Sequence, residues 1–179
     1  MAKSSLRFSP EIPAPFRPRQ KGLEYFVQSA ARIHEVVPQA RFWIAGDGML
    51  RGELAALIQR LGLLDTVTLL GGQDDIAGIM AASDVFVLPS LSESLGNVLL
   101  EAMALGKPLV LASDGPLEEL PGKIVPPRDH VALAEAIALL CRDGRARREL
   151  AELGRERWRQ RHTPEVVAAQ HDALYVELC

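Results

Sequence analysis

Short apolar runs alternate along this chain with longer segments whose apolar residues recur at helical spacing. The short runs are residues 40–45, 66–70, 84–88 and 108–112. The periodic segments are residues 22–37, 50–61, 75–82 and 97–105. Strands that are apolar on both faces and are separated by helices indicate a parallel sheet with helices on both sides. The sequence therefore predicts a doubly wound α/β domain.

The two ends of the chain break this alternation. Residues 1–20 are rich in proline and are predicted to be an irregular segment around at best one short strand near residues 6–8. After Pro126-Pro127 no strand pattern follows, and helices are expected at about 130–142, 144–160 and 164–178. The predicted organisation is thus an irregular segment, 1–20, followed by one domain, 21–179, with a helical tail from about 130.

Composition excludes several classes of protein. The chain has 179 residues, of which 48% are apolar, which suits a single domain with a sizeable core. Its two cysteines, Cys141 and Cys179, are too few for a disulfide framework or a thiolate zinc site and fit a reducing, cytoplasmic compartment. With 5% aromatic residues, a stacking platform for nucleic acid is not expected. The scattered histidines suggest no metal site.

In a parallel α/β sheet, ligands bind beyond the carboxyl ends of the strands. The most informative loop there begins at Pro89 and runs into a predicted helix, with Glu93 and Glu101 separated by seven residues. Gly96 permits close backbone approach, and Ser94 or Asn97 can cap the helix. Amide donors suit a phosphate and carboxylates suit hydroxyl groups, a combination that fits a nucleotide sugar. The alternative is an ordinary capped amphipathic helix with Glu101 in solvent.

The order of motifs resembles the retaining GT-B glycosyltransferases, the family of glycogen-synthase-like and mannosyltransferase-like enzymes. The signature is the pair Glu93 and Glu101. The flanking features are Lys21-Gly22, Gly46-Asp47-Gly48, Gly71, residues 84–90, residues 115–119 and residues 125–127. The resemblance runs from about residue 21 to the end and implies a Rossmann-like fold, the C-terminal, donor-binding half of such an enzyme.

The resemblance also implies roles for individual residues. Glu101 is similar to the carboxylate that binds the ribose hydroxyls, and Glu93 to the one beside the donor sugar. Lys21 is similar to the lysine that neutralises the diphosphate, and Arg17, in preference to Arg19, to its arginine partner. The backbone predicted to cradle the diphosphate belongs to Ser94, Leu95, Gly96 and Asn97. Glycines expected near the nucleotide are Gly46, Gly48 and Gly71.

The implied reaction is hexosyl transfer from a nucleoside-diphosphate sugar with retention of configuration, without a cofactor or a divalent metal. The expected partners are the nucleotide sugar and an N-terminal acceptor-binding domain, which is absent here or supplied by a separate chain. The C-terminal helix would pack toward that domain or self-associate, and the enzyme would be cytoplasmic or peripheral to the inner face of the membrane. No nucleic-acid partner is expected.

Two features depart from the family pattern. Residues 1–20 lack the expected apolar strand ending in Gly-Arg, so the first strand is predicted to be missing or displaced. Residues 120–125 are shorter than in the family and predict a trimmed turn.

Two other functions remain open at the level of sequence. One is a non-catalytic subunit that binds a nucleotide sugar. The other is an NAD-dependent oxidoreductase, because Gly46-Asp47-Gly48 with Gly52 lies between a predicted strand and a predicted helix. That second function needs an acidic residue at the end of the next strand, where the chain has Gly71-Gly72.

Overall fold

A computed structural model describes residues 7–9, 21–91, 96–113 and 120–178 of the chain. The strands are β1 Arg7–Ser9, β2 Arg41–Ala45, β3 Val67–Gly71, β4 Val85–Leu88, β5 Leu109–Ala112 and β6 Gly122–Val125. The helices are α1 Leu23–Val36, α2 Arg51–Arg60, α3 Ile76–Ala82, α4 Asn97–Ala104, α5 His130–Arg142, α6 Gly144–Arg161 and α7 Pro164–Leu178. Among these helices, none is long and apolar enough to cross a membrane.

The six strands form one parallel sheet in the order β3-β2-β1-β4-β5-β6. The chain winds outward from β1 in one direction to β3 and then returns to build β4 to β6 in the other. This is the doubly wound α/β fold that the alternation predicted.

The expected loss or displacement of the first strand is wrong. Strand β1 lies in the middle of the sheet, with Phe8 paired to Phe42 of β2 and to Val85 of β4. The short strand allowed near residues 6–8 is therefore present, although its three residues, in a proline-rich segment, are too few to produce a periodic signal.

The trimmed turn predicted for residues 120–125 is also wrong for most of that segment, because it contains β6. Gly122 pairs with Leu109 of β5, and a β carbon built on Gly122 would lie 3.0 Å from the β carbon of Leu109. Close approach to β5 thus favours glycine at the start of this edge strand, and the Gly-Lys sequence masks the strand pattern.

The sheet separates two hydrophobic clusters, and β4 shows why its strands are apolar on both faces. Val85 and Val87 belong to the cluster under α1, α2 and α5. Phe86 and Leu88 belong to the cluster under α4, which also receives Trp158 of α6. All four strand residues are buried, so neither face of β4 tolerates a polar alternation.

The three C-terminal helices lie where the sequence predicted them. Asp129 caps α5 by accepting hydrogen bonds from the amides of Val131 and Ala132, at 3.0 and 2.9 Å. Asp143 caps α6 in the same way, and these hydrogen bonds from the amides of Ala146 and Arg145 lower the pKa of its carboxyl. Helix α7 differs from the others because Leu174 and Tyr175 leave 53% and 67% of their surface exposed.

Candidate functional site

The direction in which successive strands are added to the sheet reverses between β1 and β4, and this places two loops next to each other at the carboxyl edge. Lys21 and Gly22 immediately precede α1, the first described helix after β1. Pro89, Ser90 and Leu91 follow β4. A switch point of this kind is where open α/β sheets form a crevice for ligands.

Gly22 brings these two loops into contact. Its φ is +61°, in the left-handed region, and a β carbon built on it would lie 1.9 Å from the carbonyl oxygen of Pro89. The same atom would lie 3.4 Å from Cδ2 of Leu91. Because only glycine fits this conformation and this space, Lys21 is held beside the start of the loop that carries the Glu93–Glu101 signature.

That loop leads into α4, whose first residue, Asn97, is exposed. Gly96 is the N-cap in an extended conformation, and within the described part of the chain no side chain caps this helix. The expectation that Asn97 caps it is therefore wrong, because Asn97 is the first helical residue and is exposed. The amide groups at the start of α4 are consequently a place where an anion can bind.

Glu101 lies on the exposed face of α4, one turn after Asn97. The opposite face is buried against the sheet through Val98, Leu99 and Met103. This stripe orients the helix so that the Glu101 carboxylate faces solvent and can accept hydrogen bonds from a ligand.

A second group of predicted residues meets at the ends of β2 and β3. Gly46 has φ +110° and donates its amide to the carbonyl oxygen of Gly71 at 2.8 Å. Gly46 and Gly48 line a narrow cleft together with Arg51 of α2. The structure therefore brings Gly46, Gly48 and Gly71 together at the carboxyl edge, while their proximity to a nucleotide stays a prediction.

Arg51 was not identified from the sequence. Its guanidinium lies over Gly71 and 3.9 Å from Oδ1 of Asp47. The available signal was its position directly after the Gly46-Asp47-Gly48 turn, at the start of a helix beyond a strand.

Four predicted site residues lie outside the described residues. They are Arg17, Glu93, Ser94 and Leu95. In the described ranges, no group of three or more His, Cys, Asp or Glu side chains is arranged to hold a metal ion.

Lys107, another lysine near the ends of secondary structure, has a structural role. Its Nζ donates hydrogen bonds to the carbonyl oxygens of Ala81 and Ser83, at 2.6 and 2.8 Å, and so closes the C-terminal end of α3. Burial lowers the pKa of this lysine. Lys107 follows α4 and precedes β5, at the opposite edge of the sheet from the ligand crevice.

The family model described as "Glycosyl transferases group 1" matches residues 13–143. The alpha-D-kanosaminyltransferase of Streptomyces kanamyceticus is 35% identical over 140 residues, which cover 74% of this chain and 36% of that protein. The lipopolysaccharide core biosynthesis glycosyltransferase LpsE of Rhizobium meliloti is 37% identical over 142 residues, which cover 76% of this chain and 41% of LpsE.

One solved structure can be superposed on nearly the whole chain. The crystal structure of Anabaena HepE in complex with UDP and glucose matches with a TM-score of 0.84 at 27% identity, over 98% of this chain and 49% of HepE. The chain thus spans about half, or less, of the length of these three relatives.

Proposed function

The chain belongs to the glycosyl transferases group 1 family, and on that premise we propose that it binds the nucleoside-diphosphate sugar donor of a retaining hexosyltransferase. Its sheet with helices on both faces and its helical C-terminal segment are those of the C-terminal half of a GT-B fold. The predicted resemblance to GT-B glycosyltransferases is thereby confirmed. Retention, the hexose and the individual residue roles belong to the proposal.

The observation that carries the proposal is the contact between Gly22 and Pro89 at the switch point. It joins a cationic side chain, Lys21, to the loop that opens α4. A lysine and a set of open helix amides at one crevice are suited to the two phosphates of a nucleotide. In the proposal, the backbone of Gly96 and Asn97 binds the diphosphate, with Ser94, Leu95 and Arg17 completing the site from outside the described residues.

Glu101 is proposed to bind the ribose. A carboxylate on the exposed face of α4 can accept hydrogen bonds from two neighbouring hydroxyl groups at once. Glu93 is proposed to lie beside the donor sugar and to orient it.

The chemistry proposed for these residues is stabilisation of the leaving group. As the bond between the anomeric carbon and the diphosphate oxygen breaks, negative charge grows on the diphosphate. Lys21 and the amides at the start of α4 would stabilise that charge. The acceptor hydroxyl then forms the new glycosidic bond on the same face of the sugar and gives its proton to the departing diphosphate oxygen. Neither a cofactor nor a divalent metal enters this proposal.

The acceptor site is proposed to lie on a separate domain. This chain covers 36% of the kanosaminyltransferase and 49% of HepE. We propose that an N-terminal GT-B domain supplies acceptor binding across the crevice and that the exposed face of α7 packs toward that domain or another copy of the chain.

Calorimetric titration of the 179-residue chain with UDP, GDP, ADP and NAD tests donor binding. We expect a nucleoside diphosphate to bind more tightly than NAD. A preference for NAD would instead support the oxidoreductase, although the strand beside the Gly46 loop ends at Gly71 and not at an acidic residue.

Glu101→Ala tests the ribose contact. Loss of hydrogen bonds to a charged group should weaken UDP binding by about 10- to 100-fold, while 2′,3′-dideoxy-UDP should bind the wild type and the variant equally. Glu135→Ala, at an exposed glutamate of α5, is the matched control and should change neither affinity. Equal weakening of both ligands by Glu101→Ala would argue against the ribose contact.

A further inference from the structure

Arg51 extends across the carboxyl end of β3. A β carbon built on Gly71 would lie 3.3 Å from Nη1 of Arg51 and 4.0 Å from its Cζ. Gly71 has φ +73°, a conformation that excludes most side chains, so the guanidinium rests directly on the backbone of this strand end.

The guanidinium is positioned to donate hydrogen bonds to a ligand. Its side chain is 49% exposed, and its ion-pair partner among the described residues is Asp47, with 3.9 Å between Nη1 and Oδ1. This separation is longer than a hydrogen bond. The contact with Asp47 therefore leaves the N–H donors of Arg51 unused.

The rest of the cleft is apolar. Besides Arg51 and the backbone of Gly46 and Gly48, it is lined by Leu23, Ile44, Leu50, Leu54 and Leu69. The cleft holds only about 30 Å³, the space of one or two water molecules. A planar ring therefore fits only across its mouth, against the apolar rim and the half-exposed guanidinium of Arg51, where that single polar group can set specificity.

The cleft lies at a suitable distance from the proposed diphosphate site. It covers the ends of β2 and β3, whereas Lys21 and the loop after β4 meet beyond β1 and β4. Neighbouring strands are about 4.8 Å apart, and β3 and β4 are separated by β2 and β1. An extended nucleoside diphosphate is comparable in length to that separation.

We infer that Arg51 determines which nucleobase the chain accepts, and that it selects a base with a carbonyl oxygen on its edge, uracil or guanine, over adenine. This inference rests on the proposed binding of a nucleoside diphosphate. Arginine donates hydrogen bonds and accepts none. Guanine offers O6 with N7, and uracil offers O4, whereas adenine places an amino donor where those carbonyls lie.

The test compares nucleotide selectivity in Arg51→Met, which keeps the apolar stem of the side chain and removes its donors. Dissociation constants for UDP, GDP and ADP are measured by calorimetry on the full chain. We expect the wild type to bind UDP or GDP at least tenfold more tightly than ADP. Arg51→Met should weaken the preferred nucleotide at least tenfold and leave ADP unchanged. Arg60→Met, at the other end of α2, is the matched control and should keep the wild-type selectivity.

Each contrary result has a separate meaning. If Arg51→Met weakens UDP, GDP and ADP equally, the guanidinium serves the phosphates and the inference is wrong. If the variant changes none of them, or if the wild type prefers ADP, the inference is likewise wrong although donor binding stands. If the wild type binds none of the three, the proposed function itself fails.

Discussion

At the scale of single residues, Gly22 is the position where the fold and the proposed site depend on the same atoms. Gly22→Ala would place a β carbon 1.9 Å from the carbonyl oxygen of Pro89 in a left-handed conformation. The conformation alone disfavours alanine by about 1–2 kcal/mol, and the contact forces the two loops apart. We expect a lower melting temperature and at least tenfold weaker UDP binding, measured by calorimetry at a temperature where the variant is folded.

Gly52→Ala is the matched control for this substitution. A β carbon at Gly52 would meet no atom within 4 Å, and this glycine has no positive φ. Gly52→Ala should raise stability by about 0.5–1 kcal/mol because alanine favours the helix. If Gly22→Ala melts and binds UDP like Gly52→Ala, the contact between the loops does not position Lys21.

The Cys141 thiol gives a pH-dependent prediction. Burial raises its pKa to about 12, whereas the pKa of a free cysteine is about 8.5. The folded chain therefore keeps this thiol protonated at pH 8.5, and iodoacetamide should modify Cys141 much more slowly in buffer than in urea. Peptide mass mapping distinguishes it from Cys179.

The same shift affects stability above pH 8.5. As pH rises, the Cys141 thiol ionises in the unfolded chain before it ionises in the folded chain. The stability that this pKa difference contributes is therefore fully present below the unfolded pKa and is lost as pH rises toward about 12. Cys141→Ala should therefore flatten the decline of melting temperature with alkaline pH. Rapid alkylation of folded Cys141 at pH 8.5 would contradict this account.

At the scale of elements, the capping of α5 by Asp129 fixes where the C-terminal helices begin. Asp129→Ala removes the acceptor for the amides of Val131 and Ala132 and should lower the free energy of unfolding by about 1 kcal/mol. Urea denaturation measures this value. Asp129→Asn keeps a capping oxygen and should lose much less, and equal losses in the two variants would point to the charge instead of the hydrogen bonds.

The sequence predicts an element well when its own residues carry the signal. Helix α1 has buried apolar residues at helical spacing, and the four residues of β4 are all buried, so both were predicted within a residue or two. Strand β6 was not predicted, and β1 was allowed only as one short strand near residues 6–8, because their pairing with neighbouring strands, and not their own pattern, makes them strands.

The same distinction applies to the site: residues with a signal in the sequence around them were predicted, and residues placed by packing were not. Gly46 and Gly71 follow apolar runs, and the family resemblance implied that they lie near the nucleotide. The structure brings them into hydrogen-bond contact. Arg51 was missed because its position over Gly71 depends on how α2 packs beside β3, which spacing along the chain does not encode. The capping role expected of Asn97 failed because the helix begins one residue earlier than that role requires, with Gly96 as its N-cap.

At the scale of the whole molecule, the two hydrophobic clusters cover the faces of the sheet, and its carboxyl edge is formed by loops and by the start of α4. No described side chain of helix α7 is part of either cluster, and its residues Leu174 and Tyr175 are exposed. The chain covers 49% of HepE. This exposure supports the proposal that α7 contacts another domain or another copy of the chain.

The last prediction separates donor binding from transfer. The 179-residue chain should bind UDP weakly but should not transfer a hexose from UDP-glucose, because the acceptor site is proposed to lie on a second domain. Fusing the N-terminal half of HepE ahead of this chain should restore turnover, measured as UDP release that depends on a sugar acceptor.

The same fusion with Glu101→Ala is the control and should lose at least about tenfold in UDP affinity. A fusion that folds and binds UDP yet stays inert with every acceptor would favour a non-catalytic subunit. Transfer by the chain alone would show that the acceptor site is built from these residues.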